Sequence, residues 1–502
     1  MNPMTILAIS LYFLALLYIG YATSKTGAKG LLEFFLAGKS LDKVTVALSA
    51  VSSGRSGWLM LGVSGMAYNT GLNAVWALSG YITVEVLMFF LVAPRYRRFA
   101  EKTGAITVTD ILVSRLNDKT NLIRITAALI TIFFMIAYVG AQVLAGGTAF
   151  SGMGMERSTG IWVTAIIVTI YTMLGGFAAV SKTDVLQAAL MFFSLVLLPT
   201  LAIIDLGGLG EVLAMMQTRG GGFSSPFAFS FGAIMGLIGI GLGSPGNPHI
   251  LIRYMALKNP ADMRFAALLA SFWNVVMGWG AIMIGLLGRV YFPDIAMLPG
   301  GNREAVFMTL GNALLNPFMQ GIMLAAILAA IMSSVDSQLL VASSAVIRDI
   351  YDQILSKGKQ LSQSQLVLYS RVTTLVIMGL AIVLAFTATD FVFWMVLFAW
   401  GGLGACFGSA LLLSFYWKGL SKQGAFWGMV LGLITVILVR QQPQWTLAFL
   451  PDVRALTSRL LFGVTYEAVP GFIVAVTVMV IVSMFTKKPE SVDQIMADIS
   501  GD

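Results

Sequence analysis

Arg55 stands in the middle of an apolar run, flanked by Ser52, Ser53 and Gly54 on one side and Ser56, Gly57 and Trp58 on the other. About a dozen residues of span lie to either side, which puts the guanidinium near the middle of a bilayer. A central arginine costs roughly 2.5–3.5 kcal/mol on insertion scales, so it needs a protein interior or a wet cavity, and a partner. Two glycines and three serines loosen a helix and supply oxygens in place of lost backbone partners. The composition predicts a transmembrane helix broken at its middle, where unwound backbone handles a solute or an ion.

A second cluster lies in AAILAAIMSSVDSQLLVASS. Ser333, Ser334, Asp336 and Ser337 fall within about one helical turn. Ser333 and Ser337 share a face at i,i+4, with Asp336 beside them. Hydroxyls, a carboxylate and freed carbonyls are hard oxygen ligands of the kind an alkali cation takes. Serines alone would serve equally to glue helices or to bond back to their own turn; the intramembrane Asp336 favours function.

Other polar residues are more ambiguous. Asp184 opens a span in GGFAAVSKTDVLQAAL and suits either an interfacial helix start or an ion site. Glu85 lies too deep to snorkel well and should pair. Tyr138, with Gln142 one turn on, fits helix packing or solute contact. His249, the only histidine, follows an Asn-Pro turn and reads as structural. For Arg55 the candidate partners are Glu85, Asp184, Asp336 and a solute carboxylate, and Asp336 is the one expected.

The elements that must position these groups are membrane helices. The chain has 502 residues, of which 58% are hydrophobic and only 11% charged; soluble domains carry about 25% charged residues. Apolar runs of about 20 residues recur from end to end and show no period-two alternation, which excludes a β-barrel. The net charge of +8 is spread over short loops and does not point to nucleic acid. One cysteine, Cys406, rules out a disulfide framework within the chain. The first apolar run lacks a basic leader and reads as a true span.

Thirteen spans are expected: Met4–Thr23, Val44–Tyr68, Ala74–Pro94, Leu122–Phe150, Ile161–Val180, Val185–Ile204, Phe227–Met255, Phe265–Phe292, Pro317–Ile347, Leu366–Thr387, Phe391–Trp417, Ala425–Val439 and Val469–Phe485. Spans 2 and 7 are both interrupted, the latter by GIGLGSPGNPHI. They lie five spans apart, and an odd number of spans per unit inserts the second unit inverted. Corresponding breaks in inverted halves point to a transporter binding site. The expected division is a first span and inner loop (1–43), one five-span unit (44–204), a connector with the second unit (205–417), two peripheral spans (418–486) and a polar tail (487–502). With the N-terminus outside, about 23 of the 31 basic residues fall on the cytoplasmic side. That favours an external N-terminus and a cytoplasmic C-terminus.

Four stretches carry a resemblance: FFLAGKSLDKVTVALSAVSSGRSGWLMLG, GGFAAVSKTDVLQAALM, GLGSPGNPHILIRYMA and ILAAIMSSVDSQLL. Together they make the chain resemble the sodium:solute symporter family, above all its bacterial sodium:proline branch, from about Leu32 to Trp417. The resemblance implies an inverted-repeat (LeuT-type) fold with 13 spans. It also implies a sodium site formed by the carbonyls of Ser52, Arg55 and Ala330 with the hydroxyls of Ser333 and Ser334. A second cation position of some relatives maps to Asp184, Asp336 and Ser337. Ser56, Gly57, Trp58 and Tyr138 match positions that serve the substrate. The chain departs from proline carriers at Gly54, where they have aspartate, at Ile240, where they have tryptophan, and at Ser244, where they have tyrosine. The cation site's electrostatics and one wall of the substrate pocket are therefore altered.

The expected protein is an all-α polytopic symporter of the inner (cell) membrane and not an enzyme. It takes up a small carboxylate-bearing solute, proline or a similar amino acid, with sodium as coupling ion and no cofactor. Proton coupling, or another organic acid, is the alternative within the class. A sensor would carry an added soluble domain. A channel does not need two broken helices with buried charges. No G-x-x-x-x-G-K-[ST] motif offers ATP a site. Oligomeric state is not readable.

Overall fold

The structure, a computed structural model, describes residues 2–24, 30–220, 222–356, 362–440, 453–490 and 492–500. Among these, nine helical segments are long and apolar enough to cross a membrane, and two shorter apolar helices, Phe231–Gly246 and Ala468–Met484, accompany them. The chain is a multi-pass helical membrane protein. Burial differs sharply between helices. Pro317–Leu355 and Val392–Tyr416 are largely enclosed, whereas Pro3–Thr23 and Gln363–Thr387 present most of their surface outward. A helix that is apolar all round and enclosed belongs to the core of the bundle.

Local chemistry sets the helix starts. Asp42 caps the Lys43–Gly57 helix, accepting from the Val44 and Thr45 amides at 2.9 and 3.0 Å. Asn316 caps Pro317–Ser344, with Pro317 supplying the residue that needs no amide partner there. Ser362 and Gln365 form a capping box at Gln363–Thr387.

The break between spans 5 and 6 lies earlier than the sequence suggests. The helix Arg157–Asp205 is interrupted at Gly176, with φ 58° and ψ −173°, and Ser181 to Asp184 continue the helix. That backbone conformation is open to glycine and strained for any side chain. Asp184 therefore stands about two turns beyond the break and is fully buried, which excludes the interfacial reading.

The basic segment after Pro94 also extends a helix, Ala93–Thr103. The polar tail folds against it. Arg98 donates to the carbonyls of Ile499 and Ser500 at 3.0 and 2.8 Å, and Lys102 pairs with Asp498. A nine-residue helix, Val492–Ser500, is too short to persist alone and takes its stability from this docking.

Candidate functional site

The two interrupted spans cross the ninth span at the centre of the bundle. The second span runs as a helix from Lys43 and breaks at Ser56, whose φ of 49° and ψ of −174° leave the helical region. A non-glycine residue there stores strain and must be held by its surroundings. Ser56 Oγ accepts from the Trp58 amide at 3.1 Å, and Gln142 Oε1 accepts from the Gly57 amide at 2.8 Å. A wide turn, Trp58–Val63, restarts the helix. The seventh span ends its first half at Ile238, tightens through Gly239–Gly246, and resumes at Pro248–Ala256. Asn247 bridges the gap, donating from Nδ2 to the Gly243 carbonyl at 2.7 Å.

Gly57 has a measurable reason to be glycine. A β-carbon there would lie 2.7 Å from Ala145 Cβ on the fourth span. Overpacking of this kind costs about 1–3 kcal/mol. Gly57→Ala is expected to lower the unfolding temperature and slow transport, and Ala145→Gly in the same chain to recover most of both. A double variant no better than Gly57→Ala would mean that the crowding comes from Gln142 Oε1, 3.2 Å from the same β-carbon, and not from Ala145.

Oxygens converge where spans 2 and 9 cross. Ser333 Oγ lies 3.1 Å from the Ser52 carbonyl and 3.1 Å from the Ala330 carbonyl. Ser334 Oγ lies 2.9 Å from the Ser53 carbonyl and 3.1 Å from that of Ala330. All five residues are fully buried. The set is neutral oxygen only, which suits a monovalent hard cation and offers nothing to a soft metal. The Arg55 carbonyl, expected in this set, accepts from the Trp58 amide at the end of the helix.

Arg55 does pair, but with Glu85 rather than Asp336. Its Nη2 is 3.2 Å from Glu85 Oε2, and its Nε donates to Asn274 Oδ1 at 2.8 Å. Asn274 Nδ2 donates in turn to Glu85 Oε2 at 2.6 Å, and the guanidinium lies 4.1 Å from the Tyr81 ring centre. The expected Arg55–Asp336 pair fails on helical phase. Ser52 and Ser53 turn toward the ninth span, and Arg55 follows Ser53 by two residues, about 200° round the helix. Its side chain leaves toward spans 3 and 8.

The cation at the Asp184 cluster is Arg253. From the second half of the seventh span its Nη2 reaches Asp184 Oδ2 at 3.0 Å and Ser337 Oγ at 2.6 Å. Its Nε donates to Ser49 Oγ at 2.7 Å, and Ser53 Oγ and the His249 carbonyl accept as well. Asp336 Oδ1 accepts from Ser337 Oγ at 3.0 Å, and its Oδ2 has no hydrogen-bond partner among the described residues. Of the residues mapped to a second cation position, Asp184 and Ser337 are thus in contact with a guanidinium, and Asp336 joins them through Ser337.

A small pocket opens beside the break. Trp58, Tyr81, Tyr138, Ile240 and Trp400 line it together with Gly54, and its volume of about 10 Å³ leaves space for little more than one water. Trp58 stacks on Phe393 with ring centres 5.8 Å apart, and Tyr81 lies 5.1 Å from Trp400. Ser56 and Gly57 form the adjoining backbone. Ser244 is buried with an unpartnered hydroxyl and does not line the pocket. His249 packs edge-on to Tyr138, 5.5 Å away.

Sequence reasoning missed Arg253, Asn274, Tyr81 and Trp400. Asn274, a lone amide in an apolar span, carried a usable signal. Nothing marked Arg253 among the basic residues, or Tyr81 and Trp400 among many aromatics.

Two broken helices meeting a third at a buried cluster of oxygens is the architecture of a secondary transporter. The chain belongs to the sodium:solute symporter family, whose sequence profile matches residues 34–432. A sodium/proline symporter of Staphylococcus aureus (strain USA300 / TCH1516) is 38% identical over 494 residues, covering 97% of this chain and 94% of its own. That of strain JH9 is 37% identical over the same span. Among solved structures, a Na+-coupled sialic acid symporter in a substrate-bound outward-open state superposes with a TM-score of 0.78 at 19% identity, covering 97% of this chain and 99% of that one. A nucleobase-cation-symport-1 family transporter in a closed conformation, with bromovinylhydantoin bound, gives 0.55 at 12%, covering 93% and 98%. These two likenesses establish the fold.

Proposed function

We propose that this protein is a sodium:proline symporter of the cell membrane, coupling sodium influx to proline uptake by alternating access. The observation that carries this reading is the crossing of spans 2 and 9. Ser52, Ala330, Ser333 and Ser334 bring neutral oxygens together directly beside the aromatic pocket. Sodium and solute are cargo at adjoining positions, so each raises the other's affinity through the shared break at Ser56. The carbonyl of Arg55 lies at the edge of the sodium position and joins it when the Trp58 bond yields. Proline takes the position among Ser56, Gly57, Trp58, Tyr138 and Ile240, with Ser244 behind it, once the small pocket there widens in the transport cycle. The extensive identity to sodium/proline symporters supports the choice of solute.

Arg253 supplies the positive charge at the Asp184–Ser337 position, so one sodium accompanies each solute. The thirteen-span arrangement is read as two inverted five-span units, 44–204 and 205–417, with peripheral helices at both ends. The distribution of Lys and Arg supports an external N-terminus and a cytoplasmic tail.

Purified protein in proteoliposomes tests the reading. An inward sodium gradient at equal pH is expected to drive accumulation of labelled proline, and replacing external sodium by choline to abolish it. Accumulation driven by a pH gradient alone in choline would establish proton coupling. If another amino acid or organic acid accumulates while proline neither enters nor competes, the solute assignment is wrong.

A further inference from the structure

The helix Lys43–Gly57 ends at the sodium position, and the carbonyls of Ser52 and Ser53 near that end face the ninth span. A helix C-terminus carries about half a negative charge, which favours a cation beside it. Arg55 puts a second cation on the same end of the same helix. Its guanidinium is fully buried, so water and salt screen it little. Left alone, it would repel an ion held by the carbonyls of Ser52 and Ala330 and the hydroxyls of Ser333 and Ser334. Those ligands are all neutral and cannot offset it.

Glu85 is placed to offset it. It comes from the helix Val75–Leu87, is buried, and holds Arg55 at 3.2 Å, while Asn274 of Met263–Tyr291 bonds both partners. Stability does not account for the pair, because apolar groups of the same volume often stabilise a buried position as well or better. The contact reaches the backbone of the break too. Tyr81, about one turn before Glu85 on the same helix, stacks on the guanidinium and donates to the Gly54 carbonyl at 3.1 Å. A β-carbon at Gly54 would lie 2.6 Å from Tyr81 Oη and 3.6 Å from Glu85 Oε1, so the third span sits directly against the end of the helix. Arg253, the other arginine at the crossing, has its own acid in Asp184.

We propose that Glu85 is the counter-charge of the sodium site: it cancels Arg55 and thereby sets how tightly sodium binds. The carboxylate touches neither sodium nor solute and acts through Arg55, as a positioning residue whose effect is its charge. The proposal rests on the reading of the crossing as the sodium position and is independent of which solute is carried. The sign of the charge left on the pair then decides the affinity. An uncompensated guanidinium lowers it, and an uncompensated carboxylate raises it. At the effective dielectric of buried sites, one unit charge a side chain's length away changes a binding constant by about tenfold or more.

Thermal unfolding of the purified protein against sodium, without solute and with choline holding ionic strength constant, tests this. The unfolding temperature of the unaltered protein should rise saturably with sodium. Glu85→Gln keeps the volume but strands the guanidinium, and should need about tenfold more sodium or above for the half-maximal rise. Arg55→Gln leaves the backbone carbonyl in place but strands the carboxylate, and should need several-fold less. Arg55→Gln/Glu85→Gln should return to within about threefold of the unaltered protein, because no net charge is left on the pair. Unfolding in choline alone reads damage to the fold separately. If Glu85→Gln does not fold, Arg55→Gln and the double variant still carry the sign. A merely structural pair would weaken sodium binding in both single variants. That result, or no change in either, would overturn the proposal and leave the sodium position standing. An unaltered protein that sodium stabilises no more than choline would overturn both.

Discussion

Replacing Arg253 by alanine is expected to destabilise the protein by about 3–5 kcal/mol, the usual cost of breaking a buried ion pair from one side. Arg253 and Asp184 are both fully buried, and the guanidinium also serves Ser49, Ser53 and Ser337. Its removal strands the Asp184 carboxylate beside Asp336, which already has an oxygen without a hydrogen-bond partner among the described residues. Removing Asp184 strands only a guanidinium that keeps three hydroxyls and the His249 carbonyl. Arg253→Ala should therefore be the worse single change. Arg253→Ala with Asp184→Ala should cost less than the two losses added, because neither charge is then left alone. Thermal unfolding of the purified variants reads all three. Arg253→Ala also leaves an acid and hydroxyls where a cation stood, so its unfolding temperature is expected to rise more steeply with sodium than that of the unaltered protein. Additive losses, or a sodium response no different from the parent, would mean that Arg253 only fills space.

Removing both hydroxyls at the crossing of spans 2 and 9 should have the largest effect on transport. In Ser333→Ala/Ser334→Ala the Ser52, Ser53 and Ala330 carbonyls lose their partners, and a sodium ion loses two ligands. At about 1–1.5 kcal/mol for each of the two lost oxygen contacts, the sodium concentration for half-maximal proline uptake should rise from about thirtyfold to about 150-fold. Proline affinity at low sodium should fall by a similar factor and recover when sodium is raised, because the two bindings are linked. The maximal rate at saturating sodium should change far less. A double variant with unaltered sodium dependence would remove both serines from the sodium position. One that stays weak for proline even at high sodium would place the damage in the solute pocket.

Much of this protein was legible along the chain because a bilayer imposes linear rules. Every span must be long and apolar, so length and composition reveal most spans without any knowledge of packing. The same rule makes exceptions conspicuous. The serine–glycine run around Arg55 and the Pro–Gly–Asn–Pro stretch of the seventh span were marked as breaks, and both break in the structure. Ser333 and Ser334 were placed at the crossing through their family resemblance, and Ser333 Oγ and Ser334 Oγ do lie against the carbonyls of span 2.

Pairing across the bundle was another matter. Four intramembrane charges were singled out from the sequence, Arg55, Glu85, Asp184 and Asp336. Nothing in their order says which acid faces which base. That depends on helical phase, which sent Arg55 to Glu85 and Asn274, and on the seventh span resuming after Asn247 so that Arg253 turns inward to Asp184. The boundary at Gly176 rested on one backbone conformation that a hydropathy pattern does not register. The aromatic pocket drew Trp58, Tyr81 and Trp400 from three different spans. Composition along the chain determined that this protein crosses a membrane and that its second and seventh spans break. Only the tertiary structure decided which buried charges meet, because that depends on the rotation of each helix about its own axis, a quantity settled by packing against all its neighbours at once.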